Sequence, residues 1–194
     1  MKKIGLFGGT FDPVHNGHLI IARSVCETLG LNSVIFIPSA RPPHKNSDIM
    51  FQAEERFRML CLAVQKIPCF TVSDIEMTRK GLSYTIDTIL EIKKTLQADT
   101  DLVFIVGKDN LSDIETWKDP QAILEHCKII VADRPFTTEN DNPEWLIKKV
   151  EFVKVPLIDI SSSDIRRRIR EKKSIRYLVP DSVADIIERK YTMC

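Results

Sequence analysis

Three observations predict an α/β fold built as a doubly wound parallel sheet with helices on both faces. Short runs at residues 4–7, 33–37, 102–106 and 129–132 are, Ser33 apart, apolar rather than alternating, the pattern of strands buried on both sides. Apolar residues at helical spacing separate these runs. The first run ends in the glycine pair Gly8-Gly9 and leads directly into such a spacing, as a strand crossing into a helix does.

The elements follow in order. Residues 4–7, Ile-Gly-Leu-Phe, form the first expected strand. Leu19, Ala22, Cys26 and Leu29 then recur at helical spacing, with Gly30 where a left-handed C-terminal cap belongs. Residues 33–37, Ser-Val-Ile-Phe-Ile, stop at Pro38 and read as a second strand. Strand, helix and strand in that order imply a right-handed parallel crossover. Phe57, Leu60, Cys61 and Val64 outline the face of a helix, and Phe70-Thr71-Val72 a short strand. Ile86, Ile89, Leu90 and Leu96 outline another helix, 102–106 and 129–132 are inner strands, and 165–170 and 183–189 are closing helices. No repeat, low-complexity tract or Gly/Ser linker interrupts the chain. Residues 1–194 are therefore expected to be one domain, with a small C-terminal helical part at about 160–194.

Composition narrows the function. With 43% hydrophobic and 28% charged residues in 194, the chain can bury an ordinary core. A formal net charge of +1 gives no global field for a nucleic acid or a membrane surface, so neither is an expected partner. Anion binding must be local. The apolar run after Lys2-Lys3 is too short for a secretory signal, and no stretch approaches the ~20 residues of a membrane helix. The five cysteines, Cys26, Cys61, Cys69, Cys127 and Cys194, are odd in number and scattered. They read as reduced thiols, which predicts a cytoplasmic location. A homo-oligomer stays open.

Ligands of such sheets bind beyond the carboxyl ends of the strands. Here that turn reads Gly8-Gly9-Thr10-Phe11-Asp12-Pro13-Val14-His15-Asn16-Gly17-His18. It is neither a G-x-G-x-x-G turn nor a P-loop. The glycines admit an anion to the backbone, and the following helix offers unpaired N–H groups. His15 and His18, three apart on the first turn, fall on one side of the helix and can donate to charge developing on a phosphate. Two solvent-facing histidines after an ordinary glycine turn are the alternative.

The string resembles the signature of the nucleotidylyltransferase superfamily, whose H-x-G-H stands here as His15-Asn16-Gly17-His18. That resemblance implies a Rossmann-like nucleotidylyltransferase fold and binding of ATP phosphates by both histidines. A second string, Ile160-Ser161-Ser162-Ser163-Asp164-Ile165-Arg166, places serines at a helix start, where Ser162 or Ser163 can cap, and Arg166 one turn in. Alone it reads as a capped helix with a solvated basic face. It also resembles the superfamily's I-S-S-T-x-I-R motif, with Ser163 in place of threonine and Arg166 as the matching arginine.

Three further segments bear on the acceptor. Pro38-Ser39-Ala40-Arg41-Pro42-Pro43-His44-Lys45 is a proline loop ending in a cation that can meet a phosphate, or an ordinary surface loop. The helix starting near Thr85 favours a carboxylate at its N–H groups, unless Ser83 or Thr85 caps it. Gly107-Lys108-Asp109 closes a strand where a ribose can bind, and Trp117 can stack on a flat ring or pack in the core.

Together these segments are similar to the bacterial nicotinate-nucleotide adenylyltransferase family from Lys3 to about Arg170. The P-P-H-K loop, the R-x-G-x-S-Y-T-x-D-T segment ending at Thr88, the G-x-D…W pair and Arg134-Pro135 carry the likeness. The resemblance implies adenylyl transfer from ATP to nicotinate mononucleotide with Mg²⁺, a step of NAD biosynthesis. It implies ATP contacts at Gly8, Gly9, Thr10, His15, His18, Gly107, Asp109, Ser162, Ser163 and Arg166, with His15, His18 and Arg166 catalytic. Acceptor contacts fall at Ser39, Lys45, Tyr84, Thr85, Asp109, Trp117 and Arg134. No protein metal ligands are implied, because Mg²⁺ travels on the ATP phosphates. Lys108 and Phe136 depart from the family pattern. Competing readings are a phosphopantetheine adenylyltransferase or cytidylyltransferase, a non-catalytic nucleotide sensor, and RNA binding through residues 166–173.

Overall fold

The computed structural model describes residues 2–43, 49–108, 111–133 and 144–191. Its strands are β1 (Lys3–Gly9), β2 (Ser33–Pro38), β3 (Phe70–Val72), β4 (Asp101–Gly107), β5 (Lys128–Asp133) and β6 (Val150–Lys154). They form a six-stranded sheet in the order β3-β2-β1-β4-β5-β6, and every pairing is parallel. The helices are α1 (Asn16–Leu29), α2 (Ala53–Val64), α3 (Ile75–Thr78), α4 (Thr85–Thr95), α5 (Pro120–His126), α6 (Glu144–Ile147), α7 (Ser162–Arg170) and α8 (Asp181–Tyr191). The doubly wound sheet expected from the sequence is the architecture observed.

Two cores explain why the inner parts of β4 and β5 are apolar at every position. On β4, Val103 and Ile105 face one core while Leu102, Phe104 and Val106 face the other. On β5, Ile130 and Ala132 alternate in the same way with Ile129 and Val131. The first core takes residues from α1, α2, α7 and α8, the second from α4 and α5. Gly5 in β1 keeps this packing close. A Cβ there would lie 2.9 Å from Leu31 Cδ1 and 3.1 Å from Ile105 Cδ1. Gly30 ends α1 at φ 62°, and its N–H and that of Leu31 close back on Glu27 and Cys26 carbonyls, the expected left-handed cap. Among the described residues no helix is long and apolar enough to cross a membrane.

Several local expectations change. The buried face of α2 is Arg56, Met59, Leu60 and Val64, with Phe57 and Cys61 only half-buried. In α4 the buried set is Ile86, Thr88, Ile89 and Ile92, whereas Leu90 is exposed and Leu96 follows the last turn. Strand β6 has no counterpart among the expected elements. It is the sheet edge, with Val153 buried and Phe152 exposed, so its sequence lacks the continuous apolar run of an inner strand.

Arg56 joins three elements. It is 1% exposed, and its guanidinium donates to the carbonyls of Phe51 (3.1 Å), Thr10 (2.6 Å) and Ala40 (3.4 Å). Burial pulls its pKa below the usual guanidinium value, opposed by the charges of Asp12, Glu54 and Glu76. Arg56→Leu leaves those carbonyls unmet in a dry site and is expected to lose about 3 kcal/mol of stability. Urea unfolding measures it. Arg56→Lys should recover only part, because an ammonium cannot fork to all the acceptors.

Candidate active site

The strand order reverses between β1 and β4, and there the carboxyl ends of the strands open into a cavity of about 880 Å³. Its wall is built first from the turn after β1. A Cβ on Gly8 would stand 3.0 Å from Phe104 Cζ, and one on Gly9 3.2 Å from Phe11 Cζ. The turn pivots on Phe11 at φ 50°, a left-handed conformation rare for an aromatic residue. That conformation is held by ring contacts to Phe7 at 5.7 Å and Phe36 at 5.9 Å.

The pivot delivers Asp12 into the interior, 2% exposed. Its carboxylate accepts from the N–H groups of Met50 (2.8 Å) and Phe51 (2.9 Å). Arg166 Nε lies 3.7 Å from Asp12 Oδ2, Nη1 donates to the Asp12 carbonyl at 3.0 Å and Nη2 to Ser163 Oγ at 3.3 Å. Ser162 Oγ donates to the Pro13 carbonyl at 3.0 Å. The cap of α7 is Ser161, which accepts from the Asp164 N–H at 3.1 Å. Neither Ser162 nor Ser163 caps, and both line the cavity with Arg166.

His15 is the N-cap of α1 rather than a residue of its first turn, and His18 is the third helical residue. Their rings stack at 3.6 Å with 25° between planes. His18 Nδ1 accepts from the His15 backbone N–H at 3.2 Å, which leaves Nε2 as the proton-bearing nitrogen of the neutral ring. Gly17 makes the pair possible. A Cβ there would sit 3.0 Å from His15 Nδ1. Asn16, next to the pair, is held by the C-terminal part through N–H to the Leu178 carbonyl (2.9 Å) and Nδ2 to that of Tyr177 (2.7 Å).

The opposite wall comes from the start of α4 and the loop after β4. Ser83 does not cap α4. Its Oγ accepts from the N–H groups of Ala40 and Arg41, both at 3.1 Å, and clamps the loop after β2. Tyr84 is the N-cap residue, in extended backbone and without a side-chain capping bond. Thr85 does not cap either, so the first N–H groups of α4 carry no side-chain acceptor from the cap position. Beneath them Thr88 donates to Glu76 Oε1 at 2.7 Å and accepts from Arg79 Nη2 at 2.8 Å, and Arg79 reaches Glu91 at 3.2 Å. Trp117 meets Phe104 edge-on at 5.9 Å and presents to the cavity.

A cytidylyltransferase-like family model matches residues 6–168. A relative from Moorella thermoacetica named nicotinate-nucleotide adenylyltransferase is 39% identical over 195 residues, covering 97% of this chain and 90% of its own length. One of the same name from Desulfitobacterium hafniense is 43% identical over 196 residues, covering 97% and 94%. The chain belongs to the nicotinate-nucleotide adenylyltransferase family. It is a nucleotidyltransferase. The fold is shared with Plasmodium falciparum nicotinic acid mononucleotide adenylyltransferase complexed with NaAD, at TM-score 0.78, 19% identity and coverage of 100% of this chain and 99% of that one. The same protein complexed with APC gives a TM-score of 0.76.

Of the residues expected at an adenylyltransferase site, Gly8, Gly9, Thr10, His15, His18, Ser39, Tyr84, Thr85, Gly107, Trp117, Ser162, Ser163 and Arg166 all line the one cavity. Lys45, Asp109 and Arg134, with Phe136, lie outside the described residues. Lys108 is not among the lining residues. Two cations of the basic run after Arg166 are paired with acids. Arg167 pairs with Asp164 and Glu171, which raise its pKa, and Lys173 pairs with Glu171 at 2.8 Å. Asp12, Glu76, Ser161 and Lys118 also line the cavity and were not singled out from sequence. For Asp12 a signal existed, a carboxylate inside the string between the glycines and the histidines. Gly17→Ala should lower kcat about tenfold or more by displacing His15, while melting temperature stays level or rises, since alanine suits a helix better than glycine. Steady-state rates and thermal melts on the same preparation check both halves.

Proposed function

We propose that this adenylyltransferase joins ATP and nicotinate mononucleotide into nicotinate adenine dinucleotide and pyrophosphate, a step of NAD biosynthesis. The observation that carries the reading is one cavity holding two unlike ends. At one end stand the stacked histidines and Arg166, and at the other the uncapped start of α4 beside Trp117. The relatives of the same name, at 39% and 43% identity, support it.

In the step proposed, a phosphate oxygen of the mononucleotide attacks the α-phosphorus of ATP. The bond from that phosphorus to the oxygen bridging to the β-phosphate breaks, and pyrophosphate leaves with the electron pair. The nucleophile is already an anion, so no general base is required. Catalysis is alignment for in-line attack and neutralisation of developing charge. His15 and His18 donate to the phosphates from the start of α1. Arg166, Ser162 and Ser163 hold the triphosphate tail at the start of α7, and Gly8, Gly9, Thr10 and Gly107 supply close backbone. Asp109 is assigned to ribose, Lys45 and Ser39 to the acceptor phosphate, and Arg134 to the acceptor. Thr85 and Tyr84 meet the carboxylate, and Trp117 stacks on the pyridine ring.

When bound with ATP, Mg²⁺ would offset phosphate charge, and the residues at the ATP end would hold the phosphates that carry it. The donor set at the ATP end fits phosphate oxygens, since it consists of imidazoles, hydroxyls, N–H groups and a guanidinium. Asp12 has both oxygens engaged by backbone N–H groups. Mg²⁺ carried on the triphosphate is the arrangement this proposal adopts.

A cytoplasmic setting is part of the proposal. Cys26, Cys61, Cys69 and Cys127 are free thiols, as a reducing compartment leaves them. Burial raises the pKa of Cys26 to about 11 and of Cys127 to about 12.

His18→Ala should lower kcat by about 10²-fold or more, with little change in far-UV signal. Pyrophosphate release measures it, and near-normal turnover would remove His18 from the chemistry. Wild-type kcat/KM should favour nicotinate mononucleotide over the nicotinamide form by roughly tenfold or more, because an amide meets the α4 donors with only one acceptor. Equal use of both would overturn the acceptor assignment.

A further inference from the structure

We infer that the Lys118 side chain sets acceptor selectivity by supplying the positive charge that an acidic acceptor meets at the start of α4. The inference rests on the acceptor reading above and adds a residue to it. Lys118 directly follows Trp117, and both line the cavity. Its ammonium lies 4.9 Å from the centroid of the ring of Tyr84, the N-cap residue of α4. It also donates to both oxygens of Asp87, at 3.0 and 2.9 Å.

Asp87 is the third residue of α4, so its carboxylate belongs to the turn whose N–H groups meet the acceptor in the proposed reading. Left alone, that charge would oppose an incoming carboxylate by like-charge repulsion. The wall beneath is also acidic, with Glu76 buried and Glu91 beyond it, and Arg79 is the cation between those two. Among the described residues Lys118 is thus the cation paired with Asp87 on the cavity side, and it is half-exposed, able to lean from Asp87 toward a ligand. A neutral amide gains less from that charge, through its one carbonyl acceptor. An anion gains a charge-assisted partner.

The geometry separates this role from a mere staple between the Trp117 loop and α4. If Lys118 acts on the ligand, removing the lysine and removing its aspartate partner have opposite signs. If the pair is only a staple, the two changes have the same sign. The test is kcat/KM for nicotinate and nicotinamide mononucleotides at saturating ATP, for wild type, Lys118→Met and Asp87→Asn, at low and moderate salt.

Lys118→Met is expected to lower the acid-to-amide ratio roughly three- to tenfold, with the amide almost unchanged. It should also flatten the salt dependence of the acid reaction. Asp87→Asn is expected to raise the ratio, because it releases the ammonium to the acceptor. Equal losses on both acceptors in both variants, or an unchanged ratio in Lys118→Met, would overturn the inference while leaving nucleotidyl transfer to nicotinate mononucleotide in place. A wild type that uses neither pyridine nucleotide overturns the functional reading itself, and this inference with it.

Discussion

The site depends on one buried ion pair, Asp12 with Arg166. These residues are 154 apart in sequence, and the pair binds the turn after β1 to the first turns of α7. Burying two charges is unfavourable unless their remaining hydrogen-bonding groups are met. Here most of them are met. Asp12 takes the N–H groups of Met50 and Phe51, and Arg166 adds the Asp12 carbonyl and Ser163. What the pair stabilises is geometry. With the turn fixed to α7, Ser162 reaches the Pro13 carbonyl, and His15 and His18 stand at the same wall of the cavity as Arg166. A loop free to move could not hold donors within the few tenths of an ångström that in-line transfer requires.

Much of this architecture could be read from the sequence because two cores impose one rule. Where both faces of a strand are buried, every residue is apolar, and residues 102–106 and 129–132 declare themselves. Strand β6 obeys a different rule, since an edge strand buries only part of itself. Arg56 escaped for a related reason. An apolar stripe counts charges as solvent-facing, yet this guanidinium fills the buried face of α2 because three backbone carbonyls meet it there. Periodicity cannot register a partner supplied by distant loops.

The site residues were legible to different depths. Gly17 has a reason visible only in three dimensions, the space that the His15 ring needs. The serines of the second string illustrate the limit of cap rules. Any of Ser161, Ser162 and Ser163 satisfies the preference for a hydroxyl at a helix start. The choice of Ser161 follows from Ser162 being drawn to Pro13 and Ser163 to Arg166. Ser83 is the same lesson at α4, where the clamp on residues 40 and 41 takes the hydroxyl that capping would have used.

The net charge of +1 then ceases to be at odds with a ligand set made of phosphates and a carboxylate. The starts of α1, α4 and α7 all reach the same cavity, through His15, Thr85 and Ser162. Each contributes the positive end of a helix dipole and N–H groups not used within its helix. Fixed dipoles stabilise anions without adding net charge to the protein, and they need no reorganisation as charge shifts in the transition state. The formal charges that line the cavity are largely paired, Arg166 with Asp12 and Lys118 with Asp87. Selectivity can therefore be set by small displacements of a paired cation, while the dipoles hold the phosphates in line.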